Sequence, residues 1–520
     1  MRQAERVGFL SGIRGGGARL LETRSIFELL RKSSPKIEII AVFILLAALW
    51  LITRPFVGIA SDAQFYTVQA LHAIAPERFS QDLFFKYGSQ DEFSIFSDFY
   101  KPFILWFGLA RGDELLTVFD QCLWFSGLIY LTRALFDDRI SVALAVAAVI
   151  VLPSNLDLLQ SAEPFLTPRP YAEALTLFAL GDMLRERPVR AGAILLLAMA
   201  VHPLMALPGV AVFWCYQATR SYFWLGVGLA AVLLVLGLAL GGVQPFVRLF
   251  DRFDPAWLRI VEVRDYFCFL GRWTFGFWLP VCTTCCLVVL GMATASAVRR
   301  QLLMISLLVA VGGFVLSYVG GDLLHNVLVL DLQTWRAGWL VAVIAHIVIG
   351  PMMLSIPRRG ASYALTAKSM FNVALGMLAA SGFFAPLSLL TVLPAGGAAI
   401  AFYRERQTRT ELSTSFKLLN LVLIVLTVFF SVLALRVWLV AFVYAPGALR
   451  NALYGFMLAA GVLLVFSIYI RTTTRGGPRV AAPSMLAAAL GLLALAGGHW
   501  DQRSAWTKFI DTSAAPPALT

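Results

Sequence analysis

The chain has 520 residues, of which 59% are hydrophobic and 14% charged, about half the charged fraction of an average soluble domain. A soluble fold has no use for that much apolar surface. The net charge of +12 would point to nucleic acid if it were spread over a soluble surface, but its distribution along the chain excludes that reading, as the loops show.

In chain order, the first 36 residues form a basic tail with eight Lys/Arg. They are too long and too polar for the start of a cleaved signal peptide, so the first apolar run is expected to stay attached. The expected spans are 37–53, 115–131, 139–152, 167–184, 190–201, 204–218, 222–241, 273–296, 301–319, 336–353, 369–385, 386–402, 414–432, 451–470 and 481–498. Several fall short of the ~17 residues a spanning helix needs, notably the pair meeting at His202-Pro203. The reading is an all-α polytopic transmembrane bundle of about 13–15 helices, short ones included. Its divisions are a tail over 1–36, a helical domain over 37–498, and a short extracytoplasmic tail over 499–520.

Splitting the stretch 190–218 at His202-Pro203 places 1–36, 132–139, 185–190, 216–221, 297–300, 357–368, 403–417 and 471–480 on one side. With Glu38 these hold 26 Lys/Arg and 9 Asp/Glu. The positive-inside rule makes that side cytoplasmic, so the basicity is topology and no nucleic-acid partner is implied. Two long loops then face outward, 54–114 and 242–272. Residues 93–110 of the first read as an aromatic interfacial helix, and the Arg-rich second as an interfacial lid.

The outward face gathers the candidate chemistry. Asp62 lies nine residues beyond the first span, in Gly-Ile-Ala-Ser-Asp-Ala-Gln-Phe-Tyr, as a general base or as the cap of a helix over 63–75. Asp82 is the other loop acid with apolar neighbours. Thr167-Pro168-Arg169-Pro170-Tyr171 opens a helix, with Arg169 set to meet a phosphate and Glu173 one turn deeper, where a carboxylate is expensive. His202 breaks an apolar stretch at membrane depth. His325 and Arg336 lie at the outer entrance of a later span, Arg336 as a phosphate grip or an interfacial snorkel. Arg264 and Arg272 come from the second loop. The six cysteines show neither a disulfide framework nor a zinc pattern, and phosphate-loop, dinucleotide, HExxH and nucleophile-elbow motifs are absent.

The order of these features resembles the multi-spanning glycosyltransferases of the C-type fold (GT-C). The likeness rests on one span followed by an outer loop with an early acid, Asp62; on the helix, basic turn, helix and polar break from Thr167-Pro168-Arg169 to His202-Pro203; and on the outer loop 242–272. It covers the first half of the chain. Asp62 is followed by Ala63 where many such enzymes pair two acids, and the C-terminal tail is too short for an outer domain.

The resemblance implies a bacterial-type inner-membrane enzyme with its site outside. Asp62 would act as base toward the hydroxyl of a glycan, lipid or protein acceptor, and Arg169 with Arg264, Arg272 or Arg336 would hold a polyprenyl-phosphate donor among membrane lipids. No cofactor is required; a divalent metal is admitted but no residue pattern calls for one. Two other readings stay open: a transporter or flippase of a lipid-linked or anionic substrate with Glu173, Asp120 and His202 as a polar path, and a polysaccharide polymerase or ligase using outer arginines and His325.

Overall fold

The computed structural model describes residues 35–151, 161–352 and 482–504, a few positions between 396 and 468, and residues 507–508. The expected spans at 369–385, 386–402, 414–432 and 451–470 fall wholly or largely outside the described residues, as do the basic tail and most of the C-terminal tail.

Within the described residues the regular elements are helices: α1 (Pro35–Thr53), α2 (Ala63–Ile74), α3 (Leu83–Lys86), α4 (Phe96–Phe107), α5 (Leu109–Leu135), α6 (Arg139–Val151), α7 (Pro168–Leu184), α8 (Pro188–Val201), α9 (Pro203–Ala218), α10 (Phe223–Leu240), α11 (Pro255–Arg264), α12 (Phe275–Thr294), α13 (Ala297–Ser317), α14 (Val327–Leu332), α15 (Gly338–Met352) and α16 (Ala482–Trp500). Among the described residues five stretches are long and apolar enough to cross a membrane: Lys36–Thr53, Leu109–Leu135, Phe223–Leu240, Ala297–Leu323 and Val327–Met352. The helices α6, α8 and α9 are apolar but shorter. The chain groups into two compact units, residues 1–49 with 456–498, and residues 50–455 with 499–520. The candidate chemistry lies in the second.

Differences from the expected spans have physical causes. The helix expected over 115–131 is the 27-residue α5, Leu109–Leu135. Its first turns carry Asp113, which is buried in protein rather than in lipid, so hydropathy alone undercounts them. The span expected from residue 336 begins as α15 at Gly338, after a 3-10 turn over Thr334–Ala337. The break at His202 is real. His202 ends α8 and caps α9, its Nδ1 accepting from Met205 N at 3.3 Å, and Pro203 takes the first helical position of α9.

Among the described helices α15 is the most enclosed, with every residue from Gly338 to Met352 buried, while α10 exposes most of its side chains, as a lipid-facing helix would. The seam between α5 and α7 is the one that matters for the site. At Gly127 an added Cβ would stand 2.9 Å from the Ala174 carbonyl, so a glycine lets the two backbones close up. Above that seam Tyr66, Phe96, Tyr100, Leu116, Leu166 and Tyr171 form one aromatic-rich core joining α2, α4, α5 and α7. Ser94 Oγ donates to Val201 O (2.6 Å) and Ile95 N to Ala200 O (3.0 Å), fastening the start of α4 to the end of α8 beside His202.

The loop 242–272 is pinned to the segment 322–331. Asn326 Nδ2 donates to Leu249 O (2.7 Å), Arg248 pairs with Asp331 (3.0 Å), and Asp322 accepts from Leu270 N (3.0 Å) and Gly271 N (2.8 Å). Beyond α16, Phe56 N donates to Trp500 O and Gln502 N to Phe56 O, so residues 500–502 lie against the strand-like stretch after α1.

Replacing Gly127 by Val is expected to force α5 and α7 apart, costing about 1–3 kcal/mol as overpacking does, and to lower the thermal unfolding midpoint of the purified protein. The same change at Gly226, where an added Cβ meets nothing within 4 Å, should leave that midpoint within error; equal losses would refute the close-packed seam.

Candidate functional site

Two helix starts bring the central groups together. At the start of α7, Pro168 and Pro170 supply the fixed φ that a first turn requires, and Thr167 precedes them in extended conformation. Arg169 is thereby presented from the first turn. At the start of α2, Asp62 occupies the cap position without making a side-chain cap bond. Its carboxylate goes across instead, Oδ2 accepting from Arg169 Nη2 at 2.6 Å, and Oδ1 accepts from none of the described residues. The cap reading of Asp62 is therefore not what its side chain does.

Arg169 has a second acid. Its Nε lies 3.1 Å from Glu163 Oε2 as an ion pair, and that oxygen accepts a hydrogen bond from Thr167 Oγ1 at 2.8 Å. The three side chains differ in exposure: 11% for Arg169, 9% for Glu163, 47% for Asp62. The arginine is thus an enclosed anchor and Asp62 the member within reach of solvent or a ligand. Burial pushes the Glu163 carboxyl above its usual range, with the Arg169 guanidinium drawing it back.

One turn along α2, the Tyr66 hydroxyl stands 3.5 Å from His202 Nε2. His202 Nδ1 is already an acceptor for Met205 N, which puts the ring proton on Nε2 and aims it at Tyr66. Burial pushes the Tyr66 phenol up, opposed by Arg169. Arg336 closes the group, its charge felt by Tyr66, Glu163 and His202. The guanidinium rests over Trp335 (4.9 Å to the ring centre), and Nε donates to Gln333 Oε1 at 2.5 Å. The turn is fixed from behind by Trp335 N donating to Ser317 Oγ (3.0 Å) and Thr334 Oγ1 to Gly313 O (2.8 Å). Among the described residues no carboxylate lies within ion-pair distance of Arg336. It is a partly buried cation held by neutral groups, next to a second cation, which is an arrangement that accepts an anion.

Backbone strain concentrates at these residues. Of the non-glycine residues with positive φ, Ser61 (51°) adjoins Asp62, Ala162 (53°) adjoins Glu163, and Gln333 (44°) holds Arg336. Such strain persists only where the surroundings enforce it, and it gathers at binding and catalytic sites.

Glu173 lies one turn below Arg169, fully buried, its Oε2 accepting from Trp124 Nε1 (2.8 Å) and Ala162 N (3.0 Å). It forms no ion pair among the described residues; its partners are an indole and a backbone amide.

Asp62, Arg169, His202 and Arg336 therefore come together, with Glu173 beneath. The remaining candidates stand elsewhere. Asp82 is exposed and caps α3 by accepting from Phe84 N at 2.9 Å. Arg272 is paired with Glu262 at 2.6 Å, Arg264 is exposed in the last turn of α11, and His325 contributes its carbonyl to Phe253 N. Sequence reasoning missed Glu163, Tyr66 and Gln333. A usable signal was the spacing Glu163-Pro-Phe-Leu-Thr-Pro-Arg169, which puts an acid just ahead of an arginine-bearing helix start. Comparison of the chain with family models, with curated proteins and with solved structures returns no match.

Removing Arg169 strands a buried acid, so Arg169→Met is expected to cost roughly 3 kcal/mol or more. Asp62→Asn, at a half-exposed partner, should cost far less. Thermal unfolding of both variants in the same lipid checks this; equal losses would refute the anchoring role of the Arg169 to Glu163 contact.

Proposed function

We propose that the chain is a membrane glycosyltransferase that moves a sugar from a polyprenyl-phosphate donor to an acceptor hydroxyl at the extracytoplasmic face. The observation that carries this reading is the pairing of a reachable carboxylate, Asp62, with an enclosed Arg169, beside the uncompensated Arg336. Charge counting along the loops supports an outer location for all three.

In this mechanism the acceptor hydroxyl approaches Asp62 Oδ1 while Oδ2 remains on Arg169, which fixes the carboxylate plane. Asp62 takes the hydroxyl proton as the oxygen attacks the anomeric carbon. The bond from that carbon to the phosphate oxygen breaks, and the departing phosphate gains charge on the side of Arg336. A preorganised guanidinium there favours the transition state more than the ground state, because the leaving group is most anionic late in the step. Tyr66 accepts the His202 Nε2 hydrogen and so keeps its own hydroxyl hydrogen for an oxygen of the substrate. None of these steps calls on a nucleotide.

A second reading, transport of a lipid-linked or anionic substrate, has one observation in its favour: Asp120 is a fully buried acid with no hydrogen bond to a described residue, inside a helix long enough to span.

Purified protein in nanodiscs, given a panel of radiolabelled polyprenyl-phosphate sugars and acceptors, should transfer label. Asp62→Asn should lower the rate by about 10²-fold or more, and Arg336→Ala by a similar factor. Movement of intact donor across a proteoliposome membrane, with no transfer by the parent chain under any donor, would replace this reading by the transporter.

A further inference from the structure

Asp120 has no part in the transfer mechanism, yet among the described residues it is the most isolated interior acid. It sits at the middle of α5, 0% exposed, and neither Oδ1 nor Oδ2 makes a hydrogen bond to a described residue. Trp124, one turn further on the same face of α5, donates its indole N–H to Glu173 on α7. The two acids therefore share the seam that Gly127 lets close.

The seam is rich in acids. Asp113 faces it from α5 and Glu163 from the segment before α7, together with Tyr171 of α7, Tyr100 of α4 and the Cys122 thiol of α5. The cations near it are otherwise engaged. Arg169 is taken by Asp62 and Glu163, and Arg54, which approaches Glu173, donates to Thr53 Oγ1 (3.0 Å) and Ile150 O (3.3 Å) and covers Trp50. Glu173 receives two N–H groups on Oε2, while its Oε1 has no partner among the described residues. Asp120 receives none. A buried carboxylate with no donor and no counterion among the described residues is strongly disfavoured, and neutralisation is the physical way out. Among the described residues no group of three or more His, Cys, Asp or Glu is arranged to hold a metal ion. The ligand that fits the place is a proton.

We propose that Asp120 is an intramembrane proton-binding site, carrying one proton from solvent beside Glu173. The site has a mechanical link to the outer cluster. Glu173 Oε2 accepts the N–H of Ala162, whose strained backbone positions Glu163 against Arg169. A change of charge at Asp120 bears on Glu173, and through that turn on the anchor of Asp62. The proposal does not rest on glycosyl transfer, because its test reads protonation rather than turnover.

Infrared spectra of the intact chain in nanodiscs at neutral pH, recorded in water and heavy water, decide it. The parent should show a carboxylic-acid carbonyl band that shifts in heavy water, is lost or reduced in Asp120→Asn, and is unchanged in the surface variant Asp82→Asn. Absence of the band in the parent, or an unaltered band in Asp120→Asn, overturns the proposal. If Asp120→Asn does not fold, aspartate labelled with heavy carbon at the carboxyl decides in the parent: a band that moves with the label supports an aspartic acid, and one that does not move overturns it.

Discussion

The guanidinium of Arg169 holds three pieces of chain in one orientation. It ties the start of α2 through Asp62, the turn before α7 through Glu163, and the first turn of α7 to which it belongs. A guanidinium suits this because its planar fork meets two carboxylates in different directions at once, where an ammonium would act as a single point. Take the cation away and Glu163 becomes a buried, unpaired acid, while Asp62 loses the contact that gives its carboxylate one orientation. The aromatic core of Tyr66, Phe96, Tyr100 and Tyr171 packs α2, α4 and α7 together, but it fixes only where the helices lie. The ion pairs fix where the charges point.

Around that anchor the interior is arranged by desolvation. Arg336 is held by Gln333 and Trp335 rather than by an acid, which leaves its charge uncompensated toward the Tyr66 side. The arginines of 242–272 contrast with it: Arg248 and Arg272 are engaged in exposed pairs with Asp331 and Glu262, contacts of small energetic weight in water. A partly buried guanidinium with no acid partner among the described residues holds far more attraction for an incoming anion than a surface arginine already matched with a neighbour. That difference in environment, and not the number of arginines, singles out Arg336.

The helices were readable from the sequence to the extent that lipid or close packing dictates them. Uninterrupted apolar runs marked α1 and α10 nearly to the residue and α13 to about a turn, and His202-Pro203 announced the break between α8 and α9, because proline cannot continue the ladder. The reading failed at α5, whose opening turns bury Asp113 within protein; a hydropathy window sees only its polarity. The site was half legible. Asp62, Arg169 and His202 stood out as charges or breaks at helix starts. Glu163 looked like any loop acid and Tyr66 like any loop aromatic, since their roles come from neighbours more than 100 residues away for Tyr66 and His202, and from the shape of a strained turn for Glu163. Asp82 drew notice for its apolar neighbours and turned out to cap a short exposed helix. Local pattern ranks residues by type, whereas contact partners depend on how helices cross.

The strained turns give the site its sharpness. Ser61, Ala162 and Gln333 each adopt a left-handed backbone conformation without being glycine, and each stands next to, or directly holds, one of Asp62, Glu163 and Arg336. The cost of such a residue is of order 1–3 kcal/mol, and it is sustained only by the contacts on either side. At Ala162 those contacts are explicit: its N–H goes to a fully buried Glu173, and its successor Glu163 meets Arg169. A relaxed turn would take Glu163 away from the guanidinium and leave Arg169 with Asp62 as its one acid among the described residues. The strain therefore maintains a division of labour in which one acid satisfies the arginine from inside, so that the other remains available to whatever enters.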